Sequence, residues 1–186
     1  MNAMTALPTV LVLASGRGAR FAASGGTVHK LQADLAGKPV LQHTLDAVRA
    51  SGLPWHLEDV GHAGMGDSIA AAVRATFGTA AAAGWLILPG DLPLVQPDTL
   101  RQIASAAPSP VLVPVYQGQR GHPVRFAAGC GPELMNLKGE KGAAQILIAY
   151  AAISLVAFLA VDDAGIVTDI DTLDDLQRAH ALLAGR

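Results

Sequence analysis

The chain has 186 residues, 13 Lys and Arg against 15 Asp and Glu, and a formal net charge of −2. With 51% hydrophobic and 15% charged residues it is not a disordered chain, and no overall positive charge draws it to nucleic acid. The single Cys130 excludes an internal disulfide and a cysteine-built zinc site, which suits a reducing, cytoplasmic setting. The length predicts one α/β domain over residues 1–186.

In chain order, Thr9–Ala14 reads as a buried β-strand, because it is apolar and rich in β-branched residues. It breaks into a polar, glycine-bearing loop, Ser15–Lys30. Pro39–Ala50 reads as a helix with Val40, Leu41, Thr44, Leu45 and Val48 on one stripe, and Ser68–Thr76 as a second helix. Trp55–Val60 has room for one short strand. Trp85–Leu88 is predicted as a buried strand, Pro97–Ala106 as a helix, and Val111–Tyr116 and Pro123–Phe126 as strands. Gly142–Val161 is 20 residues without a charge, close to the length of a membrane span. Ile146, Leu147 and Tyr150 have helical spacing, and ISLVAFLAV then reads as a strand, so the run is expected to be a buried helix followed by a buried strand, with no membrane span. Ile166–Asp169 is expected as a short edge strand, and Thr172–Leu183 as a final helix capped by Asp171 or Thr172. Alternating strands and helices predict an open, mostly parallel sheet in a Rossmann-like three-layer sandwich. Ligands of such sheets sit beyond the carboxyl ends of the strands.

Two loops at such ends carry chemistry. Leu13, Ala14, Ser15, Gly16, Arg17, Gly18 and Arg20 follow the first strand. The glycines allow main-chain N–H groups to close on an anion. No acidic residue precedes Asp34, so Arg17, Arg20 and Lys30 make a local positive field. A P-loop is excluded, since no Gly-Lys-Ser or Gly-Lys-Thr occurs, and the dinucleotide fingerprint fails at Phe21, where its third glycine belongs. Asp91 ends the second strand after Pro89-Gly90, where a carboxylate is placed to hold Mg²⁺ on a triphosphate, or to serve as a turn residue. Asp162-Asp163, Asp169 and Asp171 are further candidates for metal, and Asp171 equally for a helix cap.

Seven ordered segments resemble the molybdopterin nucleotidyltransferases, within the pyrophosphorylase-like NTP transferases. They are Leu13–Phe21; His29-Lys30-Leu31 with Gly37–Leu41; Gly64–Ile69; Pro89–Pro93; Gly118–Val124; Leu137–Ala143; and Asp169–Thr172. The departures are Ser15 for alanine, the missing glycine after Phe21, Gly90 for alanine and Glu140-Lys141 for an Asp-x pair. In addition, the 17 residues between Ala50 and Ser68 are too few for the strand, helix and strand the family places there, so one strand–helix unit is missing. The resemblance implies transfer of CMP or GMP from an NTP to the phosphate of molybdopterin or the molybdenum cofactor, with Mg²⁺ and release of pyrophosphate. It gives Arg20, Lys30 and Asp91 the catalytic roles. Nucleotide binding falls to Leu13–Gly18, Lys30, Gly66 and Ser68, acceptor binding to His122, and metal to Asp91 and Asp171. The GMGDS segment is closer to the cytidylyl branch, which favours CTP. A molybdoenzyme or its chaperone is the implied protein partner. A sugar-phosphate nucleotidyltransferase and a non-catalytic molybdoenzyme accessory protein are the two other readings.

Overall fold

In the computed structural model, which describes residues 6–80 and 83–185, Thr9–Leu13 forms β1, and all five of its residues are buried. Val10 and Val12 face one core cluster and Leu11 and Leu13 another, so this strand is covered on both sides. The helices α1 (Ala19–Ala23), α2 (Val40–Ser51), α3 (Met65–Ala80), α4 (Pro97–Ser105), α5 (Gly131–Met135), α6 (Ala144–Ala152) and α7 (Leu173–Ala184) alternate with eight further strands. These are β2 (Asp34–Leu35), β3 (Lys38–Pro39), β4 (Trp55–Glu58), β5 (Trp85–Pro89), β6 (Val111–Tyr116), β7 (Gln119–Arg120), β8 (Val124–Phe126) and β9 (Val156–Ala160).

The main sheet runs β4-β1-β5-β8-β6, with β9 on the far side of β6 and the short β2–β3 hairpin standing apart. β4, β1, β5, β6 and β9 point the same way. Only β7 and β8 oppose them, as two pieces of one antiparallel partner of β6. The mostly parallel α/β sheet is therefore as the alternation predicts. Its one reversed strand has a positional consequence: the start of β8, at His122, falls on the same edge as the ends of the parallel strands.

Two apolar layers sandwich this sheet. Leu45, Val48, Leu100 and Ile103 of α2 and α4 close one face against Val10, Val12, Leu86 and Leu88. Ile69 and Val73 of α3, Leu134 of α5 and Ile146 of α6 close the other against Leu11, Trp85, Ile87 and Val113. A third cluster joins Phe21, Leu31, Leu35, Leu94 and Ile170 to Ala179 of α7. That cluster ties the loop after β1 to the segment before α7, which is how residues far apart in sequence reach one site.

Three expectations change. The loop Ser15–Lys30 holds a short helix, α1, fixed by the buried Phe21. Ile166–Asp169 is no strand: Ala164–Val167 is a 3-10 turn, because the Asp163 carboxylate accepts from Gly165 N and Gln96 N while Ile166 O accepts from His122 N. Asp163 is spent there as a buried cap, which removes it as a metal candidate. The uncharged run 142–161 does make a helix and a strand, but neither is buried. Ile146 is the one buried residue of α6, and Ile148, Ile153 and Phe158 are exposed. The physical reason is position: β9 is an edge strand, paired only with β6 among the described residues. Among the described residues no helix is long and apolar enough to cross a membrane. At the other edge the interval after α2 does hold a single strand, β4, paired with β1 alone.

Candidate active site

Gly18 is where the loop turns. Its φ of 63° lies in the left-handed region open to glycine, and it starts α1 without a side-chain cap. His29 braces it. Leu31 N donates to His29 Nδ1 (3.3 Å), so Nε2 carries the proton and donates to Gly16 O at 2.7 Å. Ser15 Oγ hydrogen-bonds Ser68 Oγ, which fixes the loop to α3. Among the described residues the N–H groups of Gly16, Arg17 and Gly18 have no protein partner, so the turn keeps its donors for an anion.

That turn forms one wall of a cavity of about 280 Å³, together with Arg20, Lys30, Glu140 and the segment His62–Met65. A second cavity of about 350 Å³ shares Arg20, Lys30, Met65 and Asp171 with the first and adds Asp91, Arg120, His122 and Asp169. A third, of about 400 Å³, shares Met65, Pro89, Arg120 and His122 with the second and runs on over Leu13, Ile69, Val113, Phe126 and Leu147. The three form one cleft along the carboxyl edge of the sheet. A larger hollow of about 720 Å³ lies at the opposite edge. Its one buried cation, Arg125, already donates from both terminal nitrogens to Ile103 O, Ala106 O, Ala107 O and Ser109 Oγ, so it is held in the wall of the protein.

At the centre of the cleft, Lys30 Nζ lies 2.5 Å from Asp91 Oδ2 and 2.8 Å from Asp171 Oδ1. Arg20 reaches the other oxygen of Asp171 at 2.7 Å. Burial works against the Lys30 charge, but the Asp91 charge and the hydrogen bonds to Asp171 and Asp91 outweigh it and raise its pKa above the ordinary lysine value. Asp91 Oδ1 is buried and has no hydrogen-bond partner among the described residues. A buried carboxylate oxygen left without a donor costs on the order of 1–3 kcal/mol, so it is a place that calls for a ligand. Main-chain geometry holds the two carboxylates together, since Ile170 N donates to Asp91 O at 3.0 Å.

This donor set suits a divalent cation of the magnesium type. Among the described residues no three His, Cys, Asp or Glu side chains are arranged to hold a metal ion, so the protein offers carboxylates in a pair and leaves the remaining positions to water and phosphate. Asp169 lines the same cavity; burial pushes its carboxyl above the usual range, and Asp171 and Asp91 add to the rise. At the His122 end of the second cavity, partial desolvation lowers the imidazole pKa and the Asp91 charge opposes this.

Other predicted residues stand behind the walls. Ser68 is 1% exposed and reaches the site through Ser15 and through Gly64 O, to which its hydroxyl donates. Gly66 N donates to Gly139 O at 2.7 Å, and a Cβ on Gly66 would meet the Lys138 backbone at 2.8 Å. Their neighbours His62–Met65 form the wall instead. Leu13 lines the apolar third cavity, and its carbonyl accepts from Gly90 N. Ala14 packs against the cluster of Phe21 and Ile170, and its N–H donates to Glu58 O.

Sequence reasoning missed the side chains around Glu58. This buried carboxylate accepts from His62 Nε2 at 3.0 Å and lies 3.4 Å from His56 Nε2. The available signal was Glu58 at the carboxyl end of a strand, the same signal that marked Asp91. Arg120 was also missed; its guanidinium lies 4.9 Å over the exposed Phe158 ring and borders the second and third cavities.

An anion-ready turn after β1 and a carboxylate after β5, joined by one lysine, define a nucleotide-handling α/β protein. The family model of the MobA-like NTP transferase domain matches residues 10–153, and the chain belongs to that family. The purine catabolism protein PucB of Bacillus subtilis (strain 168) is 31% identical over 112 residues, 60% of this chain and 54% of PucB, so the match spans about half of that relative. Rv0371c of Mycobacterium tuberculosis H37Rv, solved in complex with manganese, is 26% identical, with a TM-score of 0.73 over 94% of this chain and 98% of that one. The molybdopterin-guanine dinucleotide biosynthesis protein A of Archaeoglobus fulgidus shares the fold at 18% identity, with a TM-score of 0.64 over 96% of this chain and 100% of that one.

Proposed function

We propose that the protein transfers a nucleoside monophosphate, CMP in preference to GMP, from an NTP to the phosphate of molybdopterin or the molybdenum cofactor. An acceptor phosphate oxygen attacks the α-phosphorus, the bond to the bridging α–β oxygen breaks, and pyrophosphate leaves. The nucleophile is already an anion at neutral pH, so the protein needs to supply alignment and charge rather than a general base. The free N–H groups of Gly16–Gly18 bind the β- and γ-phosphates. Arg20 and Lys30 offset the charge that gathers on pyrophosphate. Asp91 and Asp171 would hold a divalent cation, Mg²⁺ as the natural choice, which neutralises charge at the α-phosphate. His122 and Arg120 face the acceptor.

The observation that carries this reading is the position of Asp91, with one buried oxygen unsatisfied, between a phosphate-binding turn and a second ligand cavity. The membership of the MobA-like family, and the molybdopterin named in the archaeal neighbour, support the choice of acceptor. The test is pyrophosphate release from CTP, with GTP in parallel, in the presence of Mg²⁺ and molybdopterin. Release that depends on molybdopterin and is faster with CTP is expected. No release with either nucleotide overturns the acceptor assignment.

A further inference from the structure

Three of the four oxygens of Asp91 and Asp171 are engaged by cationic side chains: two by Lys30 and one by Arg20. The fourth, Asp91 Oδ1, is buried and has no partner among the described residues. A divalent cation on this pair would sit against the Lys30 ammonium, which already holds one oxygen of each carboxylate. Like charges at contact distance repel strongly where solvent screens little. Screening here is slight, since the side chains of Lys30, Asp91 and Asp171 are only 12–17% exposed. The cation must therefore displace Lys30, and breaking a partly buried pair is costly unless the lysine gains another anion. The structure offers a place for that anion. Lys30 also lines the cavity of the Gly16–Gly18 turn, whose N–H groups are unpaired.

We propose that Lys30 is the resident cation of the metal site, and that nucleotide phosphate must draw it off Asp91 and Asp171 before a divalent cation can bind there. The species the protein takes up is then the metal–nucleotide complex, and free metal binds poorly. This rests on reading the two carboxylates as the metal site of the proposed transfer reaction. Lys30 thus acts twice, closing the metal site in the free protein and meeting phosphate in the loaded one.

The experiment is a Mn²⁺ titration of the full chain, following the paramagnetic resonance signal of free Mn²⁺, with and without CTP and with no acceptor present. Without CTP, wild type is expected to bind Mn²⁺ at least tenfold more weakly than Lys30→Met, and adding Asp91→Asn to Lys30→Met should abolish the gain. With CTP, wild type should bind Mn²⁺ at least tenfold more tightly than without it. Far-UV circular dichroism checks the fold of the variants. The unmutated protein gives a second measurement: Mn²⁺ alone should leave its Tm unchanged, while Mn²⁺ with CTP should raise it beyond CTP alone. Nucleotide-free wild type that binds Mn²⁺ as tightly as Lys30→Met, or gains the same Tm from Mn²⁺ alone, overturns the role of Lys30 and leaves the metal site standing. Mn²⁺–CTP binding that Asp91→Asn does not weaken removes the metal site itself, and the proposal with it.

Discussion

Asp91 has one oxygen held by Lys30 and the other without a hydrogen-bond partner among the described residues. Removing the carboxylate (Asp91→Ala) takes away charge compensation that grows in importance as the α-phosphate reacts. The expected loss is in kcat, by about 10²-fold or more, with a smaller change in KM, as for a single electrostatic stabiliser. Lys30→Ala removes a phosphate contact made in the ground state too, so KM for the NTP should also rise. Steady-state kinetics with CTP, Mg²⁺ and molybdopterin separates the two, and a kcat for Asp91→Ala near wild type contradicts the mechanism. Cys130 is a contrasting residue. Burial pushes its thiol pKa up and the Glu133 charge adds to this, so thiolate is scarce. Iodoacetamide should label it slowly in the folded protein and readily in urea. Asp91, Lys30 and Arg20 were legible in the sequence because each follows an apolar strand or a glycine turn, and that placement is a one-dimensional signal. The pairing of Glu58 with His62 was not, because it depends on how the chain returns after β4.

The start of α7 shows how an element places a site residue. Thr172 Oγ1 accepts from Asp175 N at 3.2 Å, and Asp175 Oδ2 accepts from Thr172 N at 2.7 Å and Asp171 N at 3.1 Å. This capping box therefore fixes the backbone of Asp171. Thr172→Ala should cost about 1 kcal/mol in urea denaturation. Burial tends to raise the Asp175 pKa, but the hydrogen bonds from Thr172 and the two N–H groups outweigh it, and the net shift is downward from 3.8. A lowered folded pKa gives stability that is complete above the unfolded value and fades as pH falls through the folded one. The stability gap between wild type and Asp175→Asn should thus be constant near pH 7 and shrink below about pH 4. Denaturation midpoints taken from pH 7 to pH 3 check this, and a gap that widens in acid contradicts it. At the other end of the cleft, a Cβ on Gly64 would lie 2.4 Å from the Gly139 carbonyl carbon, a backbone atom that cannot swing aside. Gly64→Ala is expected to cost about 1–3 kcal/mol by overpacking, read as a lower urea midpoint. The start of α7 was readable from sequence through Asp171 or Thr172 as a cap, whereas α3, expected from Ser68, starts at Met65. The exposure of α6 and β9 was not, because an apolar run looks the same on a central strand and on an edge.

Across the whole molecule, strand direction decides which groups meet. β1 and β5 deliver the phosphate turn and Asp91 to one edge, and the reversed β8 begins at that same edge with His122. The alternation of strands and helices made the sheet legible. The order β4-β1-β5-β8-β6 was not, since pairing between strands distant in sequence leaves no periodic trace. A global readout follows from the unpaired N–H groups of the turn: amide exchange at Gly16–Gly18 should slow when CTP and Mg²⁺ bind, and equal exchange with and without them contradicts phosphate binding there. The contact between Lys30 and Asp171 spans 141 positions of sequence. During synthesis the Gly16–Gly18 turn is made early, Asp91 follows with β5, and Asp171 arrives only when the segment before α7 has left the ribosome and docked on Asp91 O through Ile170 N. Until then Arg20 and Lys30 stand on the growing chain without Asp171. A nascent chain halted after residue 150 should accordingly hold polyphosphate by simple charge attraction, lose that hold as salt rises, and show no preference among nucleotides. The full set of ion pairs with Asp171 closes only when translation has passed residue 171.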